Sequence, residues 1–116
     1  VEDLDVNNYL LKENLFGLFK NQLKKDFEGA GLSVDFTDDL PLGFDALKTS
    51  VMMRLEPLLK NNSTLLSSLL YRIDISEIQL QNYQRKNPSL PFDEVLAELI
   101  IKRILQKVIF KKTFSK

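Results

Sequence analysis

The segment from Pro91 to Phe110, PFDEVLAELIIKRILQKVIF, constrains the fold of this chain more than any other. No glycine or proline interrupts it after its first residue, and its apolar stripe changes face half-way along. At about 100° per residue, Phe92, Val95, Leu96, Leu99 and Ile100 share one face of a helix. Ile101, Ile104, Leu105, Val108 and Ile109 follow the i, i+3, i+4, i+7, i+8 pattern and form a second stripe roughly opposite the first. A helix that is apolar on two sides needs two packing partners. One is the core of its own chain; the other is a different part of the chain or a second molecule.

The rest of the sequence supplies helices to surround it. Asp5 or Asn7 can cap a first helix running to about Phe27, in which Tyr9, Phe16 and Leu23 repeat every seventh position and Leu15, Phe19 and Phe27 widen the face. Gly17 inside that helix points to close packing, because a helical glycine costs about 1 kcal/mol against alanine. Gly29 and Gly31 provide the positive-φ positions that end a helix. Leu32, Val34 and Phe36 alternate with polar residues but find no second strand to pair with, so LSVDF reads as an extended connector feeding apolar side chains to the core. Residues Thr37 to Gly43 read as a loop.

A second helix opens near Phe44, and Pro57 is expected to kink or end it. Ser63 can cap a third helix carrying Leu65, Leu66, Leu69, Leu70 and Ile73. Ser76 and Gln79 fit a capping box, with Ile75 and Leu80 at the staple positions, so a mostly polar helix runs from Glu77 to about Lys86. Pro91 suits the first turn of the last helix, and Asp93 and Glu94 suit its positive end. The expectation is an all-α fold: a compact bundle of about five helices in one domain, 1–116, with the long C-terminal helix at its centre.

Composition excludes more functions than it points to. The chain has 116 residues, no Cys, no His, and 16 acids against 16 bases. Disulfides, thiolate chemistry and the commonest general base and metal ligand are therefore missing. Asp38 and Asp39, with Asp35 and Asp45 nearby, lack the glycine and terminal glutamate of a calcium loop, and read as a solvated loop and helix cap. Ser67 and Ser68 have no adjacent base, Met52 and Met53 read as core filler, and no glycine-rich phosphate loop exists. These features predict a protein that is not an enzyme and that holds no cofactor or metal. No apolar run reaches the ~20 residues of a membrane span, and the opening VEDLDVNNYL lacks a signal-peptide pattern. The expected location is cytoplasmic.

Charge is distributed unevenly. Between Asp26 and Leu47 there are only acids: Asp26, Glu28, Asp35, Asp38, Asp39 and Asp45. After Glu98 there are only bases: Lys102, Arg103, Lys107, Lys111, Lys112 and Lys116. The two segments either neutralise each other or leave the basic end for an acidic partner.

The stretch LLYRIDISEIQLQNYQRK, Leu69 to Lys86, resembles a helix-turn-helix DNA-binding motif. Leu69, Ile73, Ile75, Leu80 and Tyr83 occupy its apolar positions, and Ser76 opens the helix that would enter the major groove. The resemblance implies that Gln79, Gln81, Asn82, Arg85 and Lys86, with Gln84, would face bases or phosphates. Leu70 stands where the motif prefers a small residue, and Asp74 where it prefers glycine. Zero net charge works against phosphate binding. Over the phrases LLYRIDISE and LAELIIKRILQKV the chain is also similar to small helical bacterial proteins of no assigned activity; that likeness implies a cytosolic protein and transfers no functional residue.

Two expectations follow. The first is a helical interaction or structural protein that self-associates as a homodimer through Ile101, Ile104, Leu105, Val108 and Ile109, with Phe110 and Phe114 flanking, and that has scope for a separate protein partner. The structural counter-reading is that the first helix covers this stripe with Leu11, Leu15 and Leu18. The second expectation is a DNA-binding module using the helix after Ser76 and the basic C-terminal helix.

Overall fold

A computed structural model of the chain describes residues 5–11 and 15–114. They form α1 (Val6–Leu10), α2 (Leu15–Gly29), α3 (Phe44–Asn61), α4 (Ser63–Ile73), α5 (Glu77–Lys86) and α6 (Phe92–Phe114), with a short 3-10 turn at Asp35–Asp39. No strand forms among the described residues, and the fold is all-helical as expected.

Local chemistry sets most of the boundaries. The Asp5 carboxylate accepts from the Asn8 N–H at 3.1 Å and caps α1. In place of one helix to Phe27 there are two, and α1 packs against α2; residues 12–14 lie outside the described residues. Asn7 does not cap its own helix. Its Oδ1 accepts from the Phe44 N–H at 2.8 Å, so a side chain of α1 satisfies an orphan donor at the start of α3. Asn62, not Ser63, caps α4, accepting from the Leu65 N–H at 3.2 Å. The capping box at Ser76 forms in both directions: the Gln79 N–H donates to Ser76 Oγ at 3.1 Å, and the Ser76 N–H donates to Gln79 Oε1 at 2.7 Å. Pro91 sits just before α6, where its carbonyl accepts the first helical bond from Val95 at 3.0 Å.

Pro57 does not end α3, which continues to Asn61. The bond that the proline removes would reach the carbonyl of Met53, and both residues are exposed, so water can serve that carbonyl. Gly31 has φ +87°, as a helix stop requires, whereas Gly29 is the last residue of α2 and lies under the Arg72 guanidinium. Gly17 does not mark a close approach: nothing lies within 4 Å of where its Cβ would stand. The connector behaves as expected up to Val34, and Leu32, Val34 and Phe36 all pack against the core. It then winds into the 3-10 turn, because Thr37 is buried and its hydroxyl and N–H both donate to the Val34 carbonyl, at 2.7 and 3.0 Å.

α6 is the centre of the molecule. It packs most extensively on α3, then on α2 and α5, and also on α4. From Val95 through Lys102 every residue is buried, more than two turns with no face left to solvent. The Cα radius of gyration, 13.5 Å, is that of a compact fold of this length.

Both apolar stripes of α6 are therefore answered within the chain. Ile101, Ile104 and Leu105 are fully buried, Val108 is 4% exposed, and Ile109 is half-buried. The self-association surface expected on these residues is core instead. The physical reason is α2, whose buried face of Leu15, Phe19, Leu23 and Phe27 packs on α6. Of the residues expected to do the covering, Leu15 is buried while Leu11 and Leu18 remain exposed.

Two outcomes follow. Gly17→Ala should stabilise the protein by about 0.5–1 kcal/mol, since the added methyl group meets open space and the helix gains propensity; denaturant titration reads this as a higher midpoint at unchanged slope. Ile104→Lys should abolish cooperative unfolding or lower stability by more than about 3 kcal/mol, because it places an unpaired charge in the core. Retention of native stability in Ile104→Lys would contradict the core position of the stripe.

Candidate functional site

The buried run of α6 contains two charges, Glu98 and Lys102, one turn apart. A charge leaves water at high cost unless it is paired and hydrogen-bonded. Tyr83 on α5 and Lys48 on α3 meet that requirement. The Tyr83 hydroxyl donates to Glu98 Oε1 at 2.7 Å and accepts from Lys102 Nζ at 2.8 Å. Lys48 Nζ donates to Glu98 Oε2 and to Glu94 Oε2, both at 2.9 Å. The Lys102 ammonium also lies 5.1 Å from the Tyr83 ring centre and 5.7 Å from that of Phe44.

Burial opposes the charge on Glu98. The hydrogen bonds from Tyr83 and Lys48, and the positive charges of Lys48 and Lys102, outweigh it and hold the carboxyl below its ordinary 4.5. For Lys48, burial again works against the charge, while the bonds to Glu94 and Glu98 and their charges lift the ammonium above its ordinary 10.5. Each of these groups satisfies another. Neither the groove between α4 and α5 nor the one between α2 and α6 is lined by Glu98, Lys102 or Tyr83. The network satisfies the two buried charges of α6.

A second network joins the acidic segment to the basic end inside one chain. Asp26 is buried, and its carboxylate accepts from Lys107 Nζ at 3.1 Å and from Gln22 Nε2 at 3.1 Å, with Arg72 Nε at 4.0 Å. Gln22 Oε1 in turn accepts from Lys111 Nζ at 2.8 Å. Arg103 reaches Asp74 Oδ2 at 2.7 Å and Gln106 Oε1 at 2.6 Å, leaving its Nε buried without an acceptor among the described residues. Neutralisation thus reaches Asp26. Glu28, Asp35, Asp38, Asp39 and Asp45 stay exposed.

Along Leu69 to Lys86, α4 and α5 are joined by a left-handed turn. Asp74, at the glycine position, adopts φ +71°, the left-handed conformation that glycine would supply. Leu69, Ile73, Ile75 and Tyr83 are buried and Leu80 is half-buried. Gln81, Asn82, Arg85 and Lys86 are exposed along α5, whereas Gln79 is half-buried and folded back on its cap. The bulky Leu70 has its effect elsewhere: it lines a groove of about 460 Å³ between α4 and α5, together with Tyr71, Ile75, Leu80 and Phe92. α5 is held to α6 through Tyr83 rather than crossing closely over α4.

The remaining sequence candidates scatter. Asp38 and Asp39 lie exposed on the 3-10 turn, and no group of three acids capable of holding a metal occurs among the described residues. Ser67 and Ser68 are exposed. Met52 packs against the core, but Met53 is 66% exposed and is not core filler. The side chain of Phe114 and all of Lys116 lie outside the described residues. No described helix is long and apolar enough to cross a membrane.

Sequence reasoning missed the Glu98 network. The signal was present in part: a Glu and a Lys four residues apart inside an apolar run mark a helical pair. Nothing local marks Lys48 or Tyr83 as their partners. Comparison with known proteins finds no counterpart: no family model, no curated protein and no solved structure matches this chain.

Stability should depend on pH through this network. Because the folded-state value of Glu98 is lowered, its contribution is complete above 4.5 and is lost as pH falls from there through the lowered value. Because that of Lys48 is raised, its contribution is complete below 10.5 and is lost as pH rises beyond it. Tyr83→Phe should cost about 1–3 kcal/mol and move the acid-unfolding midpoint, followed by far-UV circular dichroism, to higher pH. An unmoved acid limb would mean that the hydroxyl does not hold the Glu98 charge.

Proposed function

We propose that this protein is a non-enzymatic helical interaction module that pairs with a second copy of itself through the α4–α5 face. The observation that carries this reading is a knob beside a hole on one charge-poor surface. Tyr71, 88% exposed, stands at the edge of the 460 Å³ groove, which is lined by Leu70, Ile75 and Leu80. Ile78 on α5 and Phe92 at the start of α6 add exposed apolar area. Among the residues lining the groove only Glu77 is charged, so two copies brought face to face meet little like-charge repulsion. A two-fold contact requires one patch to hold both the projecting and the receiving element, and this face does. The contact expected on Ile101, Ile104, Leu105, Val108 and Ile109 is thereby replaced.

DNA binding is the second reading, favoured by the left-handed Asp74 turn and the exposed Gln81, Asn82, Arg85 and Lys86. It is weaker because the apolar groove opens on the same helix and Glu77 stands in its first turn. Light scattering coupled to size-exclusion chromatography tests both. Pairing predicts a solution mass of twice 13.4 kDa, and folded monomers for Tyr71→Ala and Ile78→Glu. A wild-type monomer at every attainable concentration ends the pairing reading. If that monomer also binds heparin and shifts duplex DNA at low salt, the second reading takes its place.

A further inference from the structure

A second surface groove runs between α2 and α6, divided by the Gln22–Lys111 bond. Lys25, Lys111 and Lys112 line it on one side of the bond, and Arg103, Lys107 and Lys111 on the other, with no acid on either. In a chain of equal acid and base content, that is a strong local excess of positive charge. Two acids neighbour it: Asp26, only 3% exposed, lies under Lys107, Gln22 and Arg72, and Asp74 pairs with Arg103 at 2.7 Å. Lys25 and Lys112 make no ion pair among the described residues.

The groove is not only basic. Leu18, 41% exposed, and the edge of Val108 give it an apolar floor on one side, and Phe110, 63% exposed, stands on the other. Leu18 to Lys25 spans about 10 Å of α2, and Arg103 to Lys112 about 13 Å of α6, at about 1.5 Å per residue. That is room for roughly two turns of a third helix laid along the pair.

We infer that the α2–α6 groove docks an acidic amphipathic helix of a partner protein. The partner's apolar side chains meet Leu18, Val108 and Phe110, while its carboxylates meet the surrounding lysines. Charge complementarity alone would accept any polyanion; the apolar floor between the cations selects a ligand that carries both characters. A second copy of this chain does not supply one. The exposed acids of its helices, Glu28 on α2, Asp45 and Glu56 on α3 and Glu77 on α5, share those helices with exposed bases (Lys24 and Lys25; Arg54 and Lys60; Arg85 and Lys86), while Asp35, Asp38 and Asp39 lie on the 3-10 turn and Asp5 and Asp74 sit at helix ends. The groove shares no lining residue with the α4–α5 face, so the two proposals fail independently.

Fluorescence anisotropy with the full chain tests the inference. The probe is a labelled helical peptide of about 15 residues, with leucines at i, i+3, i+4 and i+7 and glutamates on the opposite face; the control carries lysines in place of the glutamates. The expected result is saturable binding of the acidic peptide only. Affinity should fall about tenfold in Lys25→Glu/Lys112→Glu, and by a similar factor in Leu18→Gln, each of which alters exposed positions and leaves the circular dichroism spectrum native. Three results overturn the inference: no binding of the acidic peptide, equal binding of the lysine control, or binding that Leu18→Gln leaves unchanged and polyglutamate or duplex DNA displaces equally well. The last would define a general polyanion surface.

Discussion

The fold depends on one constraint: a helix buried on every side that carries two charges in its buried turns. Glu98 and Lys102, 8% and 9% exposed in the middle of α6, keep little contact with water, so the surrounding helices must bring partners to them. Tyr83 comes from α5 and Lys48 from α3. Replacing such a network by apolar residues of the same shape can be neutral, so its net contribution to stability is modest. Its consequence is register. A slip of α5 or α3 along α6 by one turn would strand a buried charge, at a cost of about 3–5 kcal/mol. Nonspecific apolar packing imposes no penalty of that kind.

Enclosing α6 also determines which residues remain at the surface. The chain uses the later stripe and most of the earlier one of its longest helix in its own core, with Phe92 left 43% exposed. Among the grooves that the described residues leave, two are unlike in character. The α4–α5 groove is apolar and nearly free of charge, and it stays open because α5 is tied to α6. The α2–α6 groove is basic, because the C-terminal bases project along α6 while the buried Asp26 engages Lys107. A chain with zero net charge thus carries a basic groove on one face and an apolar, nearly uncharged groove on another.

What the sequence determined by itself is local. Helical periodicity, the Ser76–Gln79 box, the break at Gly31 and the polar character of α5 depend on residues within a few positions of one another, and each reads out directly as structure. Gly17 and Met53 depart from expectation, and α3 runs on past Pro57, because a residue's type does not say whether it faces neighbours or solvent: all three are exposed, where a missing Cβ, a missing donor or an exposed thioether is tolerated. The Asn7 cap on Phe44 and the partners of Glu98 were illegible for a related reason, since the groups that meet lie far apart along the chain. Two apolar faces on α6 were visible in the sequence. That α2, rather than a second molecule, covers the later one was decided only by tertiary structure, because periodicity shows that a face must be buried and carries no information about what buries it.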